Sequence, residues 1–390
     1  MTTVSLPISE DFLDDPYPLY RRLRETAPAC RVELPDGAPA WLVTRYADVR
    51  TLLADPRLSV DKSNGNGSWR GFSLPPALDA NLLNMDPPDH TRIRKLVSQA
   101  FTPRRVENLR PRIQETADAL LDAVAGNGEA ELVRDYAGPL PVAVISDLLG
   151  VPEADRHEFR SWTDAMVSPP KGDRAAAARA VGTIHAYLAD LLAAKRSDPA
   201  DDLLSALIAA RDDGDRLTED ELTSLAFLLL FAGYENTVHA IGTGLFTLLR
   251  RSAFPLDPAQ LGSTVEELLR FEPPAPVVLR RFPTEDIEIA GVVVPRGETV
   301  LLVVGAANRD PEAFPAPDEV QPGRSGAHLT FGHGVHYCLA APLARIELEI
   351  AIGTVARRFP RMRLAVPAGE VRWRPSYRTR GLVALPVTLG

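Results

Sequence analysis

The sequence is short of cysteine: only Cys30 and Cys338 occur among its 390 residues. Two cysteines exclude a disulfide framework and every zinc module built on four cysteines or on two cysteines with two histidines. A chain of this length can bury a large core, so it does not need such cross-links. What the scarcity leaves open is a single cysteine that takes part in chemistry.

The sequence also lacks an excess of positive charge and any long apolar run. It has 43 Lys+Arg against 52 Asp+Glu, a net charge of -9, which makes it a poor generic binder of nucleic acid or of an anionic membrane. The longest apolar run, Leu225–Gly233, is about half of the roughly 20 residues that a membrane-spanning helix needs. The N-terminal stretch lacks the apolar segment of a signal peptide. We therefore expect a cytoplasmic protein that binds neither nucleic acid nor membrane.

Helical periodicity dominates the chain. Helices are predicted at 89–99, 104–125, 141–149, 153–166, 174–195 and 200–212. The longest begins at Thr218, whose capping box with Glu221 predicts a helix start, and its pattern runs to Arg250. Because it is apolar on nearly all sides over 225–231, it should pass through the middle of the protein.

Strand signals are few and lie toward the two ends of the sequence. They predict a hairpin of 31–33 with 41–44, and strands at 286–290, 292–294, 299–304, 362–366 and 382–388. No repeat or linker divides the chain. The sequence therefore predicts one mainly α domain over 1–390 with a small β part.

Residues 59–84 form a stretch rich in Gly, Asn and Ser that carries Trp69 and Phe72. A long loop inside a compact protein is usually functional or mobile. A disordered surface loop without a function would have the same composition, so both interpretations stay open.

One segment gathers the residue types that carry chemistry: residues 331–340 read FGHGVHYCLA. Its glycines allow positive φ and close approach of the backbone to a flat ligand. Cys338 stands at the start of a predicted helix, where backbone N–H groups favour a thiolate, and such a thiolate is a good axial ligand for haem iron. Three simpler explanations remain: a small buried hydrophobe, an ordinary turn, or a metal site shared with the histidines. The metal site is disfavoured, because no other cysteine and no second histidine pair offers a convincing ligand spacing.

This segment resembles the haem-binding loop of the cytochrome P450 family, F-G-x-G-x-H-x-C-x-G. Five positions match: Phe331, Gly332, Gly334, His336 and Cys338. Ala340 stands where the family has the last glycine, and its methyl group should change the packing beneath the haem while leaving the ligand intact. The resemblance covers the whole chain in order. It implies a mainly α fold with a haem b buried between helices and Cys338 as the thiolate ligand of the iron.

The resemblance also implies which residues hold the haem propionates. Residues 86–94, DPPDHTRIR, match the family's D-P-P-x-H-x-x-x-R, and His90 and Arg94 share one helix face from which both can reach an anion. Arg281 stands where the family has another propionate partner, with Arg280 as the competing choice. His336 should complete the set.

A further match lies in 267–270, ELLR, the family's E-x-x-R. Glu267 and Arg270 share a helix face and can pair. With Arg324 they would form the family's buried ion-pair triad behind the haem, which fixes structure rather than performing chemistry.

The long helix carries AGYENT at 232–237, close to the family's A-G-x-(D/E)-T-(T/S), whose acid and first threonine handle proton delivery. The acid is retained as Glu235, Asn236 replaces the first threonine, and Thr237 fills the second position. An amide orders water but relays a proton less readily than a hydroxyl does. We expect proton delivery through ordered water, Asn236 or a substrate hydroxyl. The glycine and polar residues also suggest a local widening or kink.

The resemblance assigns substrate contact to regions that are mostly small or apolar, which suits a bulky, largely apolar small molecule. An ordinary core would have the same composition. These regions are 59–84, the helix pair over 160–185, Ala232 and Gly233, residues 276–279 with Val277, Val278 and Leu279, and 377–379.

Electrons must come from outside, because the sequence has no flavin or nicotinamide fingerprint. As in the family's stand-alone bacterial members, we expect a ferredoxin with its reductase, acting on a monomer. A local group of basic residues would bind this acidic ferredoxin on the thiolate side of the haem. Its members are Arg92, Lys95, Arg104, Arg105 and Arg345. A solvated charged face explains the same residues.

The leading hypothesis is a haem-thiolate monooxygenase that inserts one atom of O₂ into a C–H bond or an alkene of an apolar substrate, such as a polyketide or another secondary metabolite. Asn236 motivates one alternative, a peroxide-driven or oxidative-coupling enzyme with the same haem. A second alternative is a non-catalytic homologue that binds a partner enzyme. The retained Cys338 and Glu235 argue against the second.

Overall fold

The structure, a computed structural model, describes residues 4–5, 12, 14–69, 76–98, 101–167, 174–212 and 217–390. Its helices are α1 Tyr17–Thr26, α2 Tyr46–Leu53, α3 Pro76–Asp79, α4 Asp89–Ser98, α5 Pro103–Glu107, α6 Arg110–Ala125, α7 Pro139–Leu149, α8 Arg156–Val167, α9 Arg174–Ser197, α10 Leu203–Asp212, α11 Glu219–Arg250, α12 Leu261–Phe271, α13 Val304–Ala307 and α14 Ala341–Arg358. Its strands are β1 Val4–Ser5, β2 Ala29–Glu33, β3 Pro39–Val43, β4 Leu58–Ser59, β5 Glu129–Glu131, β6 Phe282–Pro283, β7 Ile287–Ile289, β8 Val292–Val294, β9 Val300–Leu302, β10 Arg363–Leu364 and β11 Pro386–Thr388. The mainly α architecture with a small β part is confirmed.

The strands join distant parts of the sequence. The predicted hairpin forms from β2 and β3, and Gly37 in its turn has a φ of 79°, which favours glycine. β3 pairs in parallel with β9, so that Trp41 lies opposite Val300 in a sheet of order β1-β2-β3-β9. The other described sheets are β10-β11-β5, β4-β6 and β7-β8.

Helix α11 runs through the core, as its sequence predicts. Both hydrogen bonds of the Thr218–Glu221 capping box are present, and the helix extends over 32 residues. It packs against α3, α7, α9, α12 and α14. By length and composition α11 alone among the described helices could cross a membrane, but 67% of its most apolar window is buried inside the protein. It is therefore the central helix of the fold.

One prediction about a helix is wrong in detail. The helix predicted over 104–125 is two helices, α5 and α6, and α6 begins beside Pro111, whose ring removes a backbone N–H. Gly233 lies inside α11, which is helical throughout. A Cβ on Gly233 would lie 2.7 Å from Ile145 Cδ1, so this glycine serves the close approach of α7.

Much of the stretch 59–84 is tied down by hydrogen bonds. Lys62 Nζ lies 2.6 Å from the Asp79 carboxylate, and Asn84 Nδ2 donates to the Asp79 carbonyl at 3.0 Å. Arg280 Nη2 donates to Asn84 Oδ1 at 2.8 Å, which anchors the stretch to the segment before β6. Residues 70–75, including Phe72, lie outside the described part of the chain.

Candidate functional site

The loop before α14 is shaped by two glycines. Gly332 and Gly334 each have a φ of 76°, a conformation that side chains other than glycine's rarely adopt. A Cβ on Gly334 would also lie 2.9 Å from the Cα of Ala54, so the loop packs closely on the end of α2. The backbone N–H of Cys338 donates to the Phe331 carbonyl at 2.8 Å, which closes the loop.

Cys338 lies half-buried just ahead of the N-terminus of α14. Burial raises the pKa of its thiol, whereas backbone hydrogen bonds from Ala340 and Ala341 and the charges of Arg94 and Arg345 lower it. The positive end of the α14 dipole acts in the same direction as these hydrogen bonds. The thiol is thus placed where a cation can convert it to a stable thiolate.

Four nitrogen-bearing side chains from three segments meet beside this loop. The ring centroids of His90, on α4, and His336 are 4.3 Å apart. Arg94, one turn after His90, donates from Nη2 to the Tyr337 carbonyl at 2.7 Å. Burial, together with the charges of Arg281, His90 and Arg94, lowers the pKa of His336 to about 3. The predicted propionate partners are therefore brought together.

This cluster carries more positive than negative charge, because Asp86 is the one acid whose charge acts on both His90 and Arg281. Both ring nitrogens of His90 are buried without a hydrogen-bond partner in the described part of the protein. Arg281 is 5% exposed, and among the described residues no carboxylate lies within 4.0 Å of its guanidinium. Burial lowers the pKa of Arg281 to about 10. Buried cations are normally paired, so the site is suited to a bound anion.

Arg280 and Arg281 point to different partners. Arg280 donates a hydrogen bond to Asn84, whereas the charge of Arg281 lowers the pKa of both His336 and His90. The geometry thus favours Arg281 over Arg280 as an anion partner. Alternation of side chains along an extended segment accounts for the difference.

A model of the Cytochrome P450 family matches residues 260–382. The chain is 46% identical to the "Cytochrome P450 monooxygenase PikC" of Streptomyces venezuelae, over 99% of this chain and 95% of that protein. It is 40% identical to the "Polyketide biosynthesis cytochrome P450 PksS" of Bacillus subtilis, over 98% of each chain. A solved structure of myxobacterial cytochrome P450 CYP267B1 in complex with myristic acid superposes with a TM-score of 0.93 at 42% identity, covering 98% of each chain. The chain belongs to the cytochrome P450 family.

This P450 is a haem-thiolate monooxygenase, and its cofactor is haem b with a cysteine thiolate on the iron. The residues of the site fit that group. Two propionates would supply the negative charge that Arg281 and the unpartnered His90 nitrogens lack within the described chain. The half-buried thiol of Cys338 and the positive φ of Gly334 suit a flat ligand laid against the loop. Like other bacterial P450s, it uses redox partner proteins, O₂ and an apolar substrate.

The polar residues in the middle of α11 face different surroundings. Ala232 is exposed and Asn236, one turn later on the same face, is half-buried, so this face borders open space. Glu235 is 9% exposed and Thr237 is 7% exposed, which places both in the packed interior. The amide of Asn236 is therefore the polar group that this face of the P450 presents.

The ion-pair triad is confirmed. Arg270 donates to Glu267 through Nε and Nη2, both at 2.8 Å, and Arg324 Nε donates to Glu267 Oε1 at 2.9 Å. Arg270 Nη1 also donates to the carbonyls of Asn308 and Pro317, so its guanidinium is well satisfied. The triad ties α12 to the segment that leads to the Cys338 loop.

The predicted substrate-contacting residues divide into two groups. Leu279 is 38% exposed, and Val278 is half-buried. Val277 is 8% exposed and packs in the core cluster beneath α1. Gly233 likewise faces Ile145 of α7 rather than open space. In the 160–185 pair, residues 168–173 are outside the described ranges.

The predicted basic group is smaller than expected. Arg92 pairs with Glu221, and Arg345 pairs with Glu266 at 2.6 Å while its guanidinium lies 4.5 Å from the Phe331 ring centroid. These two arginines are engaged in ion pairs within the protein. Three members remain exposed and have no ion-pair partner among the described residues. They are Lys95, Arg104 and Arg105.

The sequence reasoning missed a second ion-pair cluster under the loop. Glu266 accepts hydrogen bonds from Arg345, and His328 Nε2 lies 3.2 Å from its carboxylate. Burial raises the pKa of Glu266, but these partners outweigh it and lower that pKa to about 2. Glu266 directly precedes the E-x-x-R segment, yet no spacing rule links it to Arg345, which is far away in sequence.

Proposed function

We propose that this P450 hydroxylates or epoxidises a bulky, largely apolar small molecule of secondary metabolism, such as a polyketide, in the cytoplasm and as a monomer. The observation that carries the proposal is the unbalanced cationic cluster beside the half-buried Cys338. The name of PksS, a relative of 40% identity, refers to polyketide biosynthesis, and CYP267B1 holds a fatty acid. Ala232 on α11 and Leu279 before β6 are both apolar and exposed, which suits contact with such ligands.

In this proposal Cys338 is the iron ligand, and Phe331 and Gly334 shape the loop that carries it. The propionates are held by His90, Arg94, Arg281 and His336. When bound, the haem supplies the activation of O₂, which the electron-donating thiolate promotes. The chain itself positions the cofactor, excludes water from the propionate cluster and places polar groups beside the substrate.

Protons are the part of the reaction that the protein must deliver. Insertion of one atom of O₂ into a substrate reduces the other atom to water, which consumes two electrons and two protons. We assign Glu235, Asn236 and Thr237 to this delivery. Asn236 borders the open face and can order water there, while Glu235 and Thr237 lie just behind it.

A ferredoxin with its reductase would supply the electrons. The docking surface would be the exposed cations Lys95, Arg104 and Arg105. Their helices flank the thiolate side: α4 is bonded to the loop through Arg94, and α5 packs against α14. Complementary charge raises the rate of encounter with an acidic partner and makes it salt-dependent.

A pair of cysteine variants tests the assigned ligand. In Cys338→Ser the CO-difference spectrum typical of a thiolate-ligated haem should disappear, together with product formation. Cys30→Ser is the matched control, because Cys30 is 7% exposed and its Sγ donates only to local carbonyls, which a serine hydroxyl can also reach. Cys30→Ser should keep the spectrum. A thiolate spectrum in Cys338→Ser would contradict the assignment.

Ligand binding tests the substrate class. The ferric protein should show a spin-state shift with members of a library of macrocyclic and other polyketides, and reconstitution with ferredoxin and reductase should convert a binder to a product heavier by one oxygen. Shifts only with small polar compounds would contradict the proposal.

Charge reversal tests the electron entry. Lys95→Glu combined with Arg104→Glu should slow reduction by ferredoxin several-fold at low salt and leave the substrate-induced shift unchanged. Arg363 is an exposed cation on β10, and Arg363→Glu is the control, which ferredoxin should reduce at the normal rate. Equal rates for all three proteins would refute the docking surface.

Asn236 supports a second candidate function. Because it replaces the hydroxyl group that would relay a proton, the enzyme could instead catalyse a peroxide-driven oxidation or an oxidative coupling. The same reconstitution separates the two. Efficient turnover with peroxide and none with ferredoxin would favour the second candidate.

A further inference from the structure

A buried histidine stands one helical turn after the acid of α11. Glu235 and His239 are four residues apart and share a face of the helix. The Nε2 of His239 lies 3.7 Å from the Glu235 Oε1, and the histidine is only 3% exposed. This face differs from the one that presents Asn236.

Among the described residues, neither side chain lies within 4.0 Å of any other group that can carry the opposite charge. The Nε2 of His239 is buried without a hydrogen-bond partner in the described protein. The Glu235 carboxylate accepts no hydrogen bond from the described residues, and its one ion-pair contact there is His239. A buried donor that lacks a partner is costly, so a site that retains one usually uses it.

The C-terminal segment holds the imidazole ring in place. A Cβ on Gly381 would lie 2.1 Å from His239 Nδ1 and 2.5 Å from its Cε1, so the ring sits directly against the Gly381 backbone. That backbone is itself fixed. The Gly381 carbonyl accepts from the Arg374 N–H at 2.8 Å, and the Arg380 N–H donates to the Pro274 carbonyl at 2.7 Å. The ring therefore cannot swing away from α11 on that side.

We propose that His239 is a positioning residue for Glu235. It confines the carboxylate to the place from which a proton passes toward the Asn236 face, and Gly381 provides the space that the ring needs. A glutamate has three side-chain torsions, and one fixed polar neighbour removes much of that freedom. The inference rests on the proton-delivery role proposed for Glu235. In this proposal His239 acts only through Glu235.

Substitution of His239 tests the positioning role. His239→Leu should lower the fraction of reductant recovered in product on the order of tenfold, because a misplaced reacting group is costly. The substrate-induced spin shift and its midpoint should not change. His239→Gln, whose amide can still reach the carboxylate, should restore part of the coupling. Wild-type coupling in His239→Leu, or equal losses in both variants, would overturn the proposal.

A glycine pair tests the same contact from the other side. Gly381→Ala should reproduce the coupling loss of His239→Leu, because the new methyl group displaces the ring. Gly369→Ala is the matched control, since its Cβ would meet no atom within 4 Å. Normal coupling in Gly381→Ala, in a protein that melts at the wild-type temperature, would count against the proposal.

A readout independent of turnover is the melting temperature of Glu235→Gln, His239→Leu and the double variant. The two shifts should not add if the side chains interact, because coupled neighbours depart from additivity. Additive shifts would overturn the inference. The proposed role of Glu235 is tested separately. If Glu235→Gln recovers the normal fraction of reductant in product, that role and the inference both fail. If this fraction falls in Glu235→Gln but not in His239→Leu, only the inference fails.

Discussion

Glu267 and Glu347 lie on two helices that pack together, α12 and α14, and both are almost fully buried. The Glu267 carboxylate accepts hydrogen bonds from Arg270, Arg324 and the backbone N–H of Gln321. Glu347 Oε2 is buried without any partner in the described structure. Burial raises the pKa of both, but at Glu267 the hydrogen bonds outweigh it and the pKa falls, whereas at Glu347 the pKa rises well above its usual value. Partners, not burial, decide which of the two acids is charged.

The Glu235–His239 pair lies between these extremes, with one partner at 3.7 Å. The carboxylates of Glu266 and Glu267 behind the Cys338 loop thus have several partners, whereas those of Glu235 on α11 and Glu347 on α14 do not. Saturated ion pairs hold a structure in one geometry. Unsatisfied polar groups cost stability and persist chiefly where function uses them. This contrast is consistent with a structural role for Glu267 and a chemical role for Glu235.

The largest effect should come from breaking the saturated triad. Glu267→Gln leaves the buried guanidinium of Arg270 without its counter-charge, so the free energy of unfolding should fall by about 3–5 kcal/mol. Denaturant unfolding of the haem-loaded protein measures this loss. Glu285→Gln is the control: its side chain is 62% exposed and pairs with Arg57 at 3.4 Å. A loss in Glu267→Gln no larger than in the control would break the comparison.

Replacing the unpartnered acid should have the opposite sign. Glu347→Leu removes a buried polar group, so the free energy of unfolding should increase by about 1–4 kcal/mol near pH 8. The wild-type carboxyl has a raised pKa when folded, so its contribution is present below the unfolded value and is lost as pH rises. The advantage of the variant should therefore grow by up to about 1.4 kcal/mol per pH unit above pH ~4.5. A constant difference between pH 5 and pH 8 would show that Glu347 is charged when folded.

A moderate effect is expected at the open face of α11. Asn236→Thr restores a hydroxyl that relays protons better than an amide, so the fraction of reductant recovered in product should change by up to roughly tenfold. Product and peroxide are quantified per reductant consumed. Thr237→Val, one residue further in the buried interior, serves as the comparison. If coupling does not change at all in Asn236→Thr, Asn236 has no part in proton delivery.

The smallest effect should come from the exposed ion pair. Arg57→Gln, which removes the surface pairs with Glu285 and Asp55, should leave the denaturant midpoint almost unchanged, because solvated pairs gain little from their charges. The same denaturant experiment measures it. A loss comparable to that of Glu267→Gln would mean that solvent exposure does not separate the two kinds of ion pair in this protein.

Local chemistry explains what could be predicted from the sequence. The capping box of Thr218 and Glu221 places the start of α11, and the apolar run after it predicts burial. The spacing of residues 331–338 predicts the loop, and the E-x-x-R spacing predicts the Glu267–Arg270 pair that the structure contains. Each of these signals lies within a few residues along the chain.

The failures concern contacts between distant segments. A Gly in a helix is ambiguous between a kink and a close approach, and only the position of Ile145 shows that Gly233 serves the approach. The charges of Arg92 and Arg345 suggest docking until Glu221 and Glu266 are seen to pair with them. His239 is four residues from Glu235 in the sequence, but its confinement by Gly381 requires the fold.

The sequence by itself determined the fold class, the family and the residue types at the site, because these depend on periodicity and short spacings. Only the tertiary structure decided which polar groups have partners. Arg281 rather than Arg280 joins the histidines, Glu267 is saturated, and Glu347 is not. The physical reason is that the charge state of a buried group is set by neighbours within a few ångströms, and in a folded chain those neighbours come from anywhere in the sequence.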